Sequence, residues 1–266
     1  LSLSPPGREG VFVYFEPFSM HTFRYERIHV YSEDAFIQQN MKLLEQGIAD
    51  AIAQRGHCIL GLSGGSTPGP IYRELGRSKS IDWSKVTLFL VDERYVSEDD
   101  PQSNQRMVRE TLLTSLRDAS IRASTSAGAT QHDVIGVFPN TTLLIEECVK
   151  DYEEQLRNLL PDQEIDLVIL GLGEDGHIAS LFPGDMNALL ERERWVLPTE
   201  TEKFAVHNRV TVTLPLLEKA RKMLFLLKGD EKKKIFAEVI SANVDPIEYP
   251  AHALLQTGRT EWITGW

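Results

Sequence analysis

Short apolar runs that end at glycine-rich or charged loops, each followed by a helical pattern, recur along this chain and limit its fold more than any other feature. His57 to Leu62, Val86 to Val91 and Asp166 to Leu170 read as strands buried on both faces. Between them lie amphipathic patterns. Ser32 opens one that runs to about Gln54, with Phe36, Ile37, Leu43, Leu44, Ile48 and Ile52 roughly on one side. Others are expected from Pro68 to about Leu75 (with Thr67 as cap), Asn104 to Leu116, Thr141 to Leu160, and Asp230 to Ile240. Further strands are expected over Phe23–Val30 (at a sheet edge), Val134–Phe138, Val210–Thr213 and Lys222–Leu227, with a helical turn from Pro215. Alternation of this kind builds a parallel sheet covered on both faces. The expected class is α/β: a three-layer αβα arrangement on a mostly parallel, Rossmann-like open sheet. No long linker breaks the pattern, so one domain is expected over residues 1–266, with 1–22 as an N-terminal extension and 123–130, a small polar stretch, as a surface loop.

Composition sets limits on partners. The chain carries 28 Lys and Arg against 39 Asp and Glu, a formal net charge of −11. That argues against nucleic acid and anionic membrane as partners, since both demand a basic face. An anionic small molecule would need a local cluster of cations inside an unfavourable global field. Cys58 and Cys148 match no ligand or disulfide spacing and read as buried thiols. No apolar run approaches the ~18 residues of a membrane span. The first residues lack the apolar core of a signal peptide, and Thr264-Gly265-Trp266 is no peroxisomal tripeptide. The expected compartment is the cytoplasm. Oligomeric state is not legible.

Ligands of open parallel sheets bind beyond the carboxyl ends of the strands, and three segments fall there. Ser63-Gly64-Gly65-Ser66-Thr67-Pro68 offers bare backbone N–H groups and two hydroxyls at a helix start, a cradle suited to phosphate. The same residues would serve a plain strand-to-helix turn. Asp92-Glu93-Arg94 places carboxylates and a guanidinium at a strand end, where Asp92 can act as base or orient a polar group and Arg94 can clamp an anion. A solvated charge cluster would look alike. Gly171-Leu172-Gly173-Glu174-Asp175-Gly176-His177 sets a histidine beside a carboxylate on an irregular backbone, the pairing that proton transfer near neutrality requires. Metal binding by Glu174, Asp175 and His177 is the weaker alternative, because no second histidine or cysteine lies nearby. Arg209 and Lys232 are the remaining basic candidates; Lys233 and Lys234 read as an exposed helix face.

Together these segments resemble the glucosamine-6-phosphate isomerase/6-phosphogluconolactonase family, and within it the 6-phosphogluconolactonase branch. The resemblance is carried by Leu62 through Pro68, Asp92-Glu93-Arg94 with Ser103-Asn104, Gly171 through Gly184 including Ser180-Leu181-Phe182-Pro183-Gly184, Arg209 through Pro215, and Gly229-Asp230-Glu231-Lys232. It implies hydrolysis of a phosphosugar lactone. His177 would be the general base, Asp175 its orienting partner, and Arg94 the stabiliser of the oxyanion. The phosphate would lie against Ser63, Gly64, Gly65, Ser66 and Thr67 with Arg209 and Lys232 as counter-charges. Asp92 would bind sugar hydroxyls or assist proton movement. The resemblance implies no cofactor and no metal. The deaminase branch has a glutamate five residues after the histidine and a tyrosine after Asp-Glu; here those positions hold Phe182 and Arg94. A catalytically silent phosphosugar-binding module is the non-enzymatic alternative.

Overall fold

The computed structural model describes residues 12–14, 25–118, 122–124, 133–241 and 244–266. In chain order the first half runs β1 (Phe12–Tyr14), β2 (Glu26–Val30), α1 (Glu33–Arg55), β3 (Cys58–Leu62), α2 (Pro68–Arg77), β4 (Val86–Leu90), β5 (Asp92–Arg94), α3 (Asn104–Val108), α4 (Thr114–Asp118), β6 (Arg122–Ser124) and β7 (Asp133–Val137). The second half runs α5 (Ile145–Leu159), β8 (Ile165–Leu170), α6 (Met186–Leu189), β9 (Val196–Glu200), β10 (Asn208–Val212), α7 (Leu214–Leu217), β11 (Ala220–Lys228), α8 (Glu231–Val239), α9 (Pro250–Leu255) and β12 (Thr260–Gly265).

Among the described residues, nine strands form one sheet in the order β1-β2-β12-β11-β8-β3-β4-β7-β6, and only the β1–β2 pair is antiparallel. The period-2 alternation of the strands sorts their apolar side chains onto two faces. Leu60, Leu88, Leu167, Leu224 and Ile263 enter one core, which α1 and α2 cover with Leu44, Ile48, Ile71 and Leu75. Ile59, Phe89, Val168, Phe225 and Trp262 enter the other, with Tyr152 and Leu156 of α5 and Phe236 of α8. The expected open α/β sheet with helices on both faces is the observed one. Both cysteines are buried and free.

Several local expectations are corrected. β10 does not belong to the parallel sheet; it is the centre of a small antiparallel sheet, β5-β10-β9, so Asp92-Glu93-Arg94 is a strand and not a loop. Thr67 has helical dihedrals and makes no side-chain cap bond; Pro68, whose ring presets φ and which has no N–H to satisfy, opens α2 without it. The helix expected over Asn104–Leu116 is broken by one turn of π-helix at Arg109–Leu113. There the hydroxyls of Thr111 and Thr114 donate to the carbonyls of Met107 and Arg109, competing with the helical ladder. The strand expected at an edge, β2, is flanked on both sides by β1 and β12. Of the 123–130 loop, residues 123 and 124 close strand β6, and 125–130 lie outside the described residues, as does most of 1–22. No described helix is long and apolar enough to cross a membrane.

Candidate active site

Strands β11, β8, β3 and β4 are neighbours in the sheet, and the loops that leave their carboxyl ends meet at a single cleft of about 830 Å³. The loop after β3 contributes Ser63, Gly64, Gly65, Ser66 and Thr67 to its wall. Two glycines here answer distinct needs. Gly65 has φ +101°, in the left-handed region. A Cβ on Gly64 would lie 1.8 Å from Asn104 Oδ1, so only glycine lets the α3 start close on this loop. The Tyr72 hydroxyl donates to the Ser63 carbonyl at 3.0 Å and fixes the loop from beneath.

The loop after β8 holds the proton-transfer pair. His177 Nδ1 lies 2.5 Å from Asp175 Oδ1, and the same oxygen accepts the His177 backbone N–H at 3.2 Å. An ionised carboxylate only accepts, so the imidazole proton belongs on Nδ1 and Nε2 keeps its lone pair. Gly173 makes room for this: its Cβ would stand 2.1 Å from His177 Nδ1 and 2.8 Å from Asp175 Oδ1. Partial burial works against the Asp175 charge, but the hydrogen bonds from His177 and Lys203 outweigh it and hold the carboxyl well below the usual range. His177 lines the cleft, and Asp175 stands behind it.

The small antiparallel sheet forms a third wall. β5 and β10 pair with Arg94 directly opposite Arg209, like charges where the register disfavours them. Arg209 is buried; burial, then the neighbouring Arg94, push its guanidinium below the ordinary value. Arg94 Nη1 donates to Gln102 O at 2.7 Å, and Arg209 Nε to Val206 O at 3.1 Å. Lys232, in the first turn of α8, also lines the cleft, while Lys233 and Lys234 are exposed. Four cations (Arg94, Arg209, Lys228, Lys232) and four carboxylates (Glu33, Asp92, Glu174, Glu231) thus line one space. Lys228 is satisfied by Glu33 at 2.6 Å. Among the described residues, no carboxylate forms an ion pair with Arg94, Arg209 or Lys232.

Asp92 is a strut. Its Oδ2 accepts from Ser180 Oγ at 2.6 Å and its Oδ1 from Asn104 Nδ2 at 3.2 Å, which ties the loops after β4 and β8 together. Beside it Ala179 sits at φ +49°, a left-handed conformation rare for a residue with a Cβ and frequent at functional sites. Glu93, which sequence reasoning left without a role, turns the other way and accepts from the backbone N–H groups of Arg94, Asn104 and Gln105, each at 2.7 Å, and from Ser103 Oγ. It caps α3 from a distance of ten residues, and only the fold brings the two together. Burial pushes its carboxyl up to about 7 against those donors. Phe182, singled out in the sequence only as the apolar residue in place of a glutamate, and Phe204, not singled out there, pack on the His177 ring with centroids 5.1 and 5.3 Å away. Among the described residues no group of three or more His, Cys, Asp or Glu is arranged to hold a metal ion.

Beyond the strand ends of an open parallel sheet, one cleft gathers a glycine-rich loop, three cations with no ion-pair partner among the described residues, and a carboxylate-backed histidine. The family model described as glucosamine-6-phosphate isomerases/6-phosphogluconolactonase matches residues 31–262, and the chain belongs to that family. A probable 6-phosphogluconolactonase of Dictyostelium discoideum is 34% identical over 230 residues, covering 86% of this chain and 92% of the relative. A 6-phosphogluconolactonase of Synechocystis is 33% identical over 239 residues, covering 87% and 92%. Among solved structures, the 6-phosphogluconolactonase of Thermotoga maritima superposes with a TM-score of 0.75 at 28% identity over 90% of this chain and all of that one. That of Plasmodium vivax superposes with a TM-score of 0.78 at 28% identity, over 94% and 93% of the two chains.

Proposed function

We propose that the protein hydrolyses 6-phospho-D-glucono-1,5-lactone to 6-phosphogluconate, the lactone-opening step of the oxidative pentose phosphate pathway, with a small phosphosugar lactone as its partner and the cytoplasm as its compartment. One observation carries the reading: a carboxylate-backed histidine and three cations with no ion-pair partner among the described residues open onto the same cleft. The named relatives support the substrate assignment.

In this reading His177 Nε2 takes a proton from a water as the water attacks the lactone carbonyl. Asp175 holds the tautomer and stabilises the imidazolium that forms. Arg94 and N–H groups of the glycine loops stabilise the tetrahedral oxyanion. The imidazolium then returns its proton to the ring oxygen as the C–O bond breaks, giving the carboxylic acid and the free hydroxyl. The phosphate lies against Ser63 to Thr67, with Arg209 and Lys232 as counter-charges. Asp92, with both oxygens engaged by Ser180 and Asn104, positions the cleft walls. Phe182, apolar and buried against His177, offers no second acid or base for aldose–ketose chemistry.

The test is His177→Ala in a lactone-disappearance assay corrected for spontaneous opening. A general acid–base contribution of about 10²–10⁴ is expected to vanish from kcat/KM. Turnover near that of the wild type would refute the mechanism, and ammonia release from glucosamine 6-phosphate would refute the substrate.

A further inference from the structure

A third charged side chain stands behind the His177–Asp175 pair. Lys203 Nζ lies 3.0 Å from Asp175 Oδ2, the carboxylate oxygen that His177 leaves unused. Lys203 belongs to the loop 201–207 that joins β9 to β10, a segment remote in sequence from the Gly171–Gly184 motif. The loop is braced internally: the Lys203 N–H donates to Thr201 Oγ1 at 3.2 Å, and the Thr201 N–H donates to His207 O at 3.1 Å. The next residue, Phe204, meets the His177 ring edge-on at 73° and lies 5.8 Å from the guanidinium carbon of Arg209. One short loop therefore touches the imidazole, its carboxylate partner and a cation of the cleft.

The reason such a contact matters is geometric. A carboxylate turns easily about its Cβ–Cγ bond, because that terminal torsion is broad. His177 bonds only to Oδ1, through its ring and its backbone N–H, so on those bonds alone Asp175 can still turn its second oxygen about that torsion and carry the imidazole with it. A charge-assisted bond on that second oxygen fixes the carboxylate plane, and through it the ring. Lys203 is more than half exposed, so as an ion pair it adds little to folding stability. Its consequence falls on the orientation of the base.

We propose that Lys203 is a positioning residue for the hydrolysis, acting through Asp175 to hold the His177 imidazole in line with the attacking water; this rests on the lactonase reading given above. Lys203→Met is expected to lower kcat about tenfold with KM changed less than about twofold, since misplacement of a catalytic group costs rate more than binding. Lys203→Arg, which can place a donor on the same oxygen, is expected to restore kcat to within about threefold of wild type. Melting temperatures of both variants are expected to stay close to that of the wild type. A Lys203→Met protein with unchanged kcat, or a Lys203→Arg protein as slow as the methionine variant, would overturn the proposal while leaving the lactonase reading intact. Absence of lactone turnover in the wild-type protein would overturn both.

Discussion

Asp175 and His177 are separated by one residue, Gly176, whose φ of +88° folds the chain so that both side chains come to the same side. Two ionisable groups held this closely leave a mark on stability. The Asp175 carboxyl lies below its ordinary value of 3.8, so its stabilisation is complete above that pH. As the pH falls below it, the unfolded chain takes up the proton first and the stabilisation is lost. Melting curves of wild type and Asp175→Asn should therefore differ at pH 6 and converge as the pH drops below about 3.8; a constant difference would show that Asp175 contributes no such linkage. Arg94 and Arg209 make the complementary point. Cross-strand like charges oppose folding, and both residues line the cleft, where a bound anion would relieve the repulsion.

At the scale of elements, the loops do the chemistry and the strands aim them. Gly173→Ala tests this directly: its methyl would collide with the His177 ring, so kcat should fall at least tenfold while the protein still folds, the change being confined to a loop. Normal kcat in that variant would mean that the ring is not held where the structure places it. The central strands were legible because Ile59 to Leu62, Leu88 to Val91 and Leu167 to Leu170 are unbroken apolar or small-residue runs. β12 was not: Thr260, Glu261 and Thr264 dilute its pattern, although Trp262 and Ile263 are fully buried. β10 was legible as a strand but not as a member of a second sheet, because periodicity reports burial and not partners. The same limit applied to the site. Residues within one motif, such as Asp175 and His177, were readable together, whereas Lys203 reaches Asp175 across 28 residues and carries no local signal at all.

At the scale of the molecule, a chain of net charge −11 holds a cleft where Arg94, Arg209 and Lys232 lack ion-pair partners among the described residues. A phosphorylated ligand bound there would bridge four neighbouring strand ends and the small sheet, so binding should be felt by the whole fold. At a 6-phosphogluconate concentration near 100 times Kd the stabilisation is about 2.7 kcal/mol, or a rise in Tm of about 5–10 °C. Lys232→Met should lose most of that rise; equal shifts in both proteins would place the phosphate elsewhere.

The sheet order also dictates when the fold can close. β12 lies between β2 and β11, joining residues 26–30 to residues 261–265. A nascent chain that has emerged only as far as residue 250 holds β2 with no parallel neighbour and leaves one flank of β11 open. Its backbone N–H and C=O groups on that flank offer a ready edge to any other strand. Completion of the sheet therefore waits for a contact some 235 residues apart, among the slowest kind to form. During synthesis it is this gap, and not the cleft, that the chain must keep from pairing with a stranger.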